Sequence, residues 1–215
     1  MARALVLVLA SALALAGATV WAQVQSREQA VATLSSAEAT LRRDAARRLG
    51  DVGTMADAAQ LVKALRDVDE DTREHAEQAL WQIWARSGNP EVDKLYQAGI
   101  EQMAAGDLKQ GIATFTRIIQ KKPEFAEGWN KRATLYFLAG DMRKSLADCH
   151  EVMKRNPVHF GALSGYALIY TRLEQYGRAL DYSRRALEIN PNLEGVRRNI
   201  ESIERLIEQQ RRQVI

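Results

Sequence analysis

Residues 123–157 read PEFAEGWNKRATLYFLAGDMRKSLADCHEVMKRNP, and the prolines at the two ends of this stretch set the period of the chain. Pro123, Pro157 and Pro191 are evenly spaced, since their sequence numbers differ by the same amount (157 − 123 = 191 − 157 = 34). Each proline is expected to close a helix, because it has no amide proton to donate and restricts the residue before it. A constant period of this length predicts helical repeats that stack on one another.

A turn marker with the same spacing lies inside the predicted repeats. The tripeptide Ala-Gly-Asp occurs at residues 105–107 and again, one full period later, at residues 139–141. Glycine takes the left-handed conformation that ends a helix, and an aspartate side chain caps the amides of the next helix. Each repeat is therefore predicted to be two helices joined by a tight turn. The third repeat has Glu174 where the first two have the glycine.

The period and its markers resemble the tetratricopeptide repeat (TPR) family, which places large and small residues at set points of each helix pair. With the prolines aligned, the repeats cover residues 92–125, 126–159 and 160–193. The family's set points are then occupied by Leu95, Gly99, Gln102, Gly111 and Phe115; by Trp129, Ala133, Tyr136, Ser145 and Cys149; and by Leu163, Ala167, Tyr170, Ala179 and Ser183. Gln102 is the poorest match. The resemblance implies an all-α fold, a right-handed α-α superhelix.

Residues 193–215 are predicted to form a helix that caps the array. Val196, Ile200, Ile203 and Ile207 recur at helical spacing on one face, and glutamates and arginines occupy the opposite face. A terminal repeat needs a cap of this kind, with one apolar face for the array and one polar face for the solvent.

Residues 23–90 carry a second and weaker period. Residues 41–49 can be laid on residues 72–80, which gives a constant offset in sequence number (72 − 41 = 31). The stretch 61–88 resembles a short HEAT repeat of the phycocyanobilin-lyase type, so short HEAT-like helical repeats are expected before the TPR array. The Ser-Gly-Asn-Pro sequence at residues 87–90 is predicted to be the boundary between the two arrays.

Two helix starts are predicted within this N-terminal segment. Ser35 with Glu38, and Asp71 with Glu74, have the spacing of a capping box, in which each side chain binds a backbone amide of the other residue. A helix is therefore expected to begin near Ser35 and another near Asp71.

Residues 1–22 have the pattern of a secretory signal peptide. Arg3 gives a positive start, residues 4–17 form an apolar core, and Val20 and Ala22 stand where signal peptidase reads the chain. Cleavage after Ala22 predicts a periplasmic or secreted protein. The alternative is a retained membrane anchor, because residues 4–21 are uncharged and reach the length of a bilayer span.

Composition argues against several functional classes. The formal net charge of +3 is too small to predict a nucleic-acid partner. Cys149 is the only cysteine, so an intramolecular disulfide is excluded. The sequence has neither a glycine-rich phosphate loop nor a helix with two metal-binding histidines. We therefore predict a protein that is not an enzyme and that needs no cofactor or metal.

Two small clusters need an interpretation of their own. Cys149 and His150, with His159 nearby, could form a nucleophile or metal site. The repeat register instead favours a buried structural Cys149 between two helices. Trp81 and Trp84 are expected to pack into the junction between the two arrays, and an aromatic platform for a ligand is the alternative.

The resemblance places the first helix of each TPR along a concave groove. The partner-binding residues that it implies are Tyr96, Ile100, Met103, Asn130, Lys131, Thr134, Phe137, Leu138, Leu168 and Arg172. The polar clamp that the family's chaperone-tail binders close on a terminal carboxylate is missing, since those places hold Tyr96, Ile100, Gly161 and Gly165.

The groove has an apolar stripe made of Tyr96, Ile100, Met103, Phe137, Leu138 and Leu168. Together with the signal peptide, the repeats and the missing catalytic motifs, it predicts a scaffold protein of the bacterial periplasm that binds a protein or peptide partner. The alternative is a self-associating structural module, possible as a homo-oligomer, whose apolar groove is filled by a second subunit or by its own C-terminal helix. A membrane association is expected only if the N-terminal segment is retained.

Overall fold

The computed structural model describes residues 26–213, which form eleven α-helices and no strand. The predicted signal peptide at residues 1–22 lies outside the described residues. The all-α prediction is confirmed. The helices are α1 Arg27–Thr33, α2 Ala39–Val52, α3 Ala58–Ala64, α4 Glu70–Ala85, α5 Pro90–Ala104, α6 Leu108–Lys121, α7 Ala126–Leu138, α8 Met142–Arg155, α9 Phe160–Arg172, α10 Tyr176–Ile189 and α11 Glu194–Gln213, with a short 3₁₀ helix, Met55–Asp57, before α3.

Helices α5 to α10 form three consecutive pairs, and the two helices of each pair contact each other. Helices α7 and α9 begin at Ala126 and Phe160, where the proline period places the repeat starts. Helix α5 begins slightly before the predicted Val92, at Pro90, because the Asn89 side chain accepts the amide protons of Glu91 and Val92 and so caps the helix. We call α5, α7 and α9 the concave helices.

The turns inside the first two pairs have the geometry that the glycine-aspartate marker predicts. Gly106 and Gly140 have φ values of 74° and 81°, in the left-handed region. Asp107 accepts the amide proton of Gln110, and Asp141 accepts that of Lys144, each at 3.0 Å. The glycine ends one helix and the aspartate starts the next.

The third turn keeps the same backbone path without either residue. Glu174 has a φ of 57°, a conformation that a side chain with a Cβ atom adopts at a cost. Gln175 stands at the start of α10 and makes no capping bond with its side chain. The array therefore imposes its turn geometry on a local sequence that does not favour it.

Contacts between α5 and α6 explain two family positions of the first repeat, the small Gly99 and the poorly matching Gln102. A Cβ atom on Gly99 would lie 2.7 Å from the ring of the buried Phe115, so the small residue makes room for the large one. Gln102 stands where the family has a large apolar residue, and its side-chain oxygen accepts the Thr114 hydroxyl proton at 2.7 Å. A hydrogen bond between α5 and α6 thus takes the place of an apolar contact.

Helices α1 to α4 form what we call the N-terminal array. Helices α2 and α4 begin at positions 39 and 70, which reproduces the offset found in the sequence, and these two helices contact each other along their length. Two-pronged ion pairs with distances of 2.7 Å join Arg42 to Asp67 and Arg27 to Asp57. The assignment of this array to the HEAT repeats stays a prediction.

The two capping boxes predicted in the N-terminal array are wrong. Helix α2 follows Glu38, which makes no capping bond with its side chain. Helix α4 is capped by Asp69, whose carboxylate accepts the Thr72 amide proton at 2.8 Å, so Asp71 lies within the first turn. The structure has capping boxes at Ser26 and Thr54 instead.

Helix α11 lies where the capping helix was expected. Ile203 is fully buried beside Ala179 and Leu180 of α10, and Ile200 and Ile207 pack against the same cluster. None of the helices between residues 26 and 213 combines the length and the apolar composition that a bilayer span requires.

Candidate functional site

One hydrophobic cluster joins the N-terminal array to the start of α9 and the end of α10. Leu80, Ile83 and Trp84 of α4 are buried together with Phe160, the first residue of α9. Ile189 packs against the same cluster from the end of α10. The two arrays therefore share a core, and α4 occupies one edge of the groove.

Aromatic rings form the centre of this junction. Trp84 stacks on His159 with ring centroids 4.5 Å apart, and Trp81 meets Phe160 edge to face at 5.0 Å. A Cβ atom on Gly161 would lie 2.5 Å from the Trp81 ring, so only a glycine leaves room for the tryptophan here. The expectation that both tryptophans pack into the junction is confirmed.

A buried polar network lies under these rings. His159 and the Glu127 carboxylate are both almost completely buried, and His159 Nε2 lies 2.6 Å from Glu127 Oε1. His159 Nδ1 accepts the amide proton of Ala162, so the ring proton is on Nε2 and is donated to Glu127. The Asn130 amide and the Tyr96 hydroxyl also donate to this carboxylate, at 3.1 Å and 3.4 Å.

The network keeps Glu127 ionised. Burial alone would raise the pKa of this carboxyl group, but the hydrogen bond from His159 and the nearby Lys131 ammonium outweigh it and lower the pKa below its ordinary value. Burial and the Glu127 charge together raise the pKa of Tyr96 well above its ordinary value. A charged carboxylate with several donors fixes the relative positions of α5, α7 and α9 at this end of the groove.

Polar contacts extend the junction to the last repeat. The Asn190 amide donates to Glu77 Oε2 of α4 at 2.9 Å, and the Asn192 amide donates to the Leu65 carbonyl oxygen at 2.8 Å. The Arg66 guanidinium donates to the carbonyl oxygens of Glu188 and Ile189 at the end of α10. The N-terminal array is thus held against the concave side by an apolar core and by hydrogen bonds on its border.

This junction changes the surroundings of several residues predicted to line the groove. Tyr96 and Asn130 are buried and bound to Glu127, so they belong to the internal network and present little free surface. Lys131 lies 3.3 Å from the same carboxylate. Ile100 and Met103 are partly buried against the cluster that contains Phe115.

The remaining predicted residues leave an open section of groove on α7 and α9. Thr134 is partly exposed, and its hydroxyl donates to the Asn130 carbonyl oxygen one turn earlier. Phe137 is partly exposed, and Arg172 is exposed. Leu138 and Leu168 have 56% and 46% of their surfaces accessible, so apolar surface is open to solvent on α7 and on α9.

A cavity of about 460 Å³ opens at the C-terminal end of this section. Its walls come from three elements: Glu77 of α4, Ala167 and Leu168 of α9, and the start of α11 around Val196. We call it the three-helix cavity. The sequence did not predict the contribution of Glu77, because the pairing of α4 with α9 leaves no periodic signal. A local sign of this pairing is Gly161, a small residue at a groove position that makes room for Trp81.

Cys149 lies beneath the open section of the groove, where it lines a small cavity with Phe137 and Leu168. Cys149 is buried among Ala133, Tyr166 and Ile169, as the repeat register predicts. Burial and the neighbouring Asp148 raise the pKa of its thiol to about 12, which disfavours the nucleophilic thiolate. Within residues 26–213 no three His, Cys, Asp or Glu side chains are placed to hold a metal ion.

Comparisons with known proteins agree with the repeat register. Residues 161–193 match the family model of the tetratricopeptide repeat. A TPR repeat-containing protein of Rhizobium etli is 35% identical over 108 residues, which are 50% of this chain and 53% of that protein. The chain thus spans about half the length of that relative. Mouse tetratricopeptide repeat protein 12 is 25% identical over 130 residues, or 60% of this chain and 18% of its own length.

Solved structures share the fold. The Sgt2 TPR domain from Aspergillus fumigatus is 25% identical, with a TM-score of 0.55 over 58% of this chain and 83% of that one. The first TPR domain of Spaghetti (RPAP3), solved with an HSP90 peptide, is 20% identical, with a TM-score of 0.53 over 54% of this chain and 93% of that one. The pair α9 and α10 therefore matches the tetratricopeptide repeat, and helices α5 to α10 share the fold of solved TPR domains.

Proposed function

We propose that this chain is a non-catalytic scaffold protein of the bacterial periplasm that binds a segment of a partner protein in the open section of its TPR groove. The observation that carries the proposal is the exposure of Leu138 on α7 and Leu168 on α9. Leu168 shares a small cavity with Phe137 and also lines the three-helix cavity. Apolar side chains that remain exposed together on a packed repeat surface usually mark a binding site.

The fold supports this proposal. The first TPR domain of Spaghetti was solved with an HSP90 peptide, and the TPR2B domain of yeast Sti1 was solved in complex with an Hsp70 peptide. A groove of this architecture can therefore hold a peptide. The polar residues that clamp a chaperone tail are absent from the present groove, so the partner segment is expected to bind through apolar side chains.

The experiment is crosslinking of the tagged protein in cells, followed by mass spectrometry of the envelope fraction. Phe137→Arg and Leu168→Arg place a charge in the open groove and should remove the main crosslinked partner. Val68→Arg is the matched control, because Val68 is 93% exposed in a turn of the N-terminal array. Both groove variants should keep the helical circular dichroism of the wild type. An unchanged set of crosslinked proteins would refute the groove assignment.

Self-association is the second candidate, and the same exposure of Leu138 and Leu168 favours it, because two copies would remove these side chains from water. On this hypothesis a second copy covers Leu138 and Leu168 in a homodimer. Sedimentation equilibrium at high protein concentration tests it. A dimer that Leu168→Arg dissociates would support self-association, and a monomer would exclude it.

The periplasmic location rests on the signal-peptide pattern of residues 1–22. N-terminal sequencing of the protein from the envelope fraction should find a mature chain that begins at Gln23. A chain that retains the apolar segment and sediments with membranes would instead support the anchor.

A further inference from the structure

We propose that the three-helix cavity binds an arginine side chain of the partner segment. The inference rests on the proposed function and adds to it the residue type that the groove recognises. It also gives the N-terminal array a direct part in binding, because the charged wall of the cavity is Glu77 of α4.

The apolar walls fit the stem of a long side chain. Ala167, Leu168, Leu193 and Val196 line the cavity, and Leu168 is half exposed at its edge. The three methylene groups of an arginine can cover apolar surface of this kind while the charged end reaches a polar wall. A volume of about 460 Å³ lies within the usual range for sites that hold a small ligand or one large side chain.

The charge of the lining selects a cation. Glu77 and Glu194 line the cavity, and no lysine, arginine or histidine is among its described lining residues. Glu194 is mostly exposed and lies 3.3 Å from the Arg197 guanidinium, so its charge is already partly balanced. The selective group is therefore Glu77.

Both carboxylate oxygens of Glu77 are held by neutral donors. Oε2 accepts from the Asn190 amide at 2.9 Å, and Oε1 accepts from the Trp81 indole at 3.5 Å. These bonds orient the carboxylate, and because the donors carry no charge, they leave the negative charge to attract a cation. An oriented carboxylate also matches the planar, two-pronged guanidinium of arginine better than the single ammonium of lysine.

Two cations on neighbouring parts of the junction, Arg73 on α4 and Lys131 beside the Trp81 ring, are engaged elsewhere. The Arg73 guanidinium, one turn earlier on α4, donates to Asn192 Oδ1 at 3.1 Å and to the Asp67 carbonyl oxygen at 3.0 Å. The Lys131 ammonium lies 3.3 Å from Glu127 and 5.9 Å from the centre of the Trp81 ring. Neither forms an ion pair with Glu77 among the described residues, so the cavity keeps its preference for a cationic ligand.

The test is a titration of the ¹⁵N-labelled protein with two probes, observed by NMR. One probe is N-acetyl-arginine methylamide, and the other is N-acetyl-citrulline methylamide, which has nearly the same shape and no charge. We expect the arginine probe to shift the amide signals around Leu168 and Val196, and to bind about tenfold more tightly than the citrulline probe.

Variants assign this preference to Glu77. Glu77→Gln keeps an acceptor oxygen for Asn190, removes the charge, and should reduce the ratio of the two affinities to about one. Glu201→Gln is the matched control, because Glu201 is an exposed carboxylate of α11 outside the cavity, and it should keep the tenfold ratio. Leu168→Ala changes an exposed position, so the fold should be kept, and it should lower the affinity for both probes by the same factor.

Three results would each overturn the inference. The two probes could bind equally, the arginine probe could change chemical shifts only far from the cavity, or the preference for the arginine probe could survive Glu77→Gln. Those outcomes would leave the proposed function standing if Leu168→Arg still removes the crosslinked partner. Conversely, the arginine probe could bind at the cavity while the groove variants keep the same set of crosslinked proteins. That result would refute the proposed function but not the arginine preference of the cavity.

Discussion

Gly161 offers a direct test of the contact between α4 and the groove. It is the second residue of α9, and a Cβ atom there would lie 2.5 Å from the Trp81 ring and 3.2 Å from that of His159. Separations as short as the first do not occur between real side chains, so Trp81 would have to move. Its ring is held by Trp84 and Phe160, at centroid distances of 5.2 Å and 5.0 Å. Gly161→Ala should therefore strain the junction.

Two opposing effects set the size of the change. Alanine in place of glycine stabilises a helix by about 0.5–1 kcal/mol. Forcing one extra carbon into a packed interface costs about 1–3 kcal/mol. Because Trp81 contacts two other rings and has little room to move, the cost here should lie toward the upper end of that range. The free energy of unfolding of Gly161→Ala should therefore fall by about 1–2 kcal/mol below that of the wild type.

Gly165 provides the control within the same helix. A Cβ atom on Gly165 would lie 3.5 Å from the Cys149 sulfur, an ordinary van der Waals distance. Gly165→Ala should therefore raise the free energy of unfolding by about 0.5–1 kcal/mol, in the opposite direction to Gly161→Ala. Urea titrations followed by circular dichroism measure both changes.

A double-mutant cycle identifies Trp81 as the cause. Once Trp81→Ala has removed the ring, Gly161→Ala should become stabilising, with a coupling energy of about 1–3 kcal/mol between the two sites. If Gly161→Ala stabilises the wild-type protein as much as Gly165→Ala does, then α4 does not lie over the groove and the reasoning is refuted.

Two further predictions concern the third turn and the buried carboxylate. Glu174→Gly should stabilise the protein by about 1 kcal/mol, because glycine takes the φ of 57° without strain, and Gly140→Ala should cause a loss of similar size; urea titrations that give both changes the same sign would contradict this. The pKa of Glu127 in the folded protein lies below its ordinary value of 4.5, so the stability that its charge contributes is present above pH 4.5 and is lost as the pH falls below that value. Urea titrations from about pH 6 to about pH 3 should show this loss. Glu127→Gln should flatten the dependence, and an equally steep one in the variant would contradict the assignment.

Much of the TPR array could be predicted from the sequence, because its determinants are local and repeat at a fixed spacing. Pro123 and Pro157 give the period, and α7 and α9 begin where that period places them. Burial of Cys149 followed from its register alone. The predicted capping boxes were wrong because spacing does not decide which of several nearby polar side chains caps the helix. At α4 the capping residue is Asp69.

The groove could be predicted only in part, because its walls come from elements that are distant in the chain. Repeat register places Leu138 and Leu168 on the open surface, and the structure finds them exposed. The same register places Tyr96 on that surface, but Glu127 draws its hydroxyl into a buried network. No pattern within α4 or α9 encodes their pairing, since Trp81 and Gly161 belong to different arrays and fit each other only in three dimensions.

The part of α4 in both packing and binding has a thermodynamic consequence. Glu77 holds Asn190 at the junction and also lines the three-helix cavity, so the cavity is complete only when the two arrays are docked. A ligand that binds only the docked form stabilises that form to a degree set by its concentration and affinity. On the proposed function, partner binding and docking of the N-terminal array therefore reinforce each other. A change that strains the junction, such as Gly161→Ala, should accordingly weaken partner binding although Gly161 lies outside the three-helix cavity.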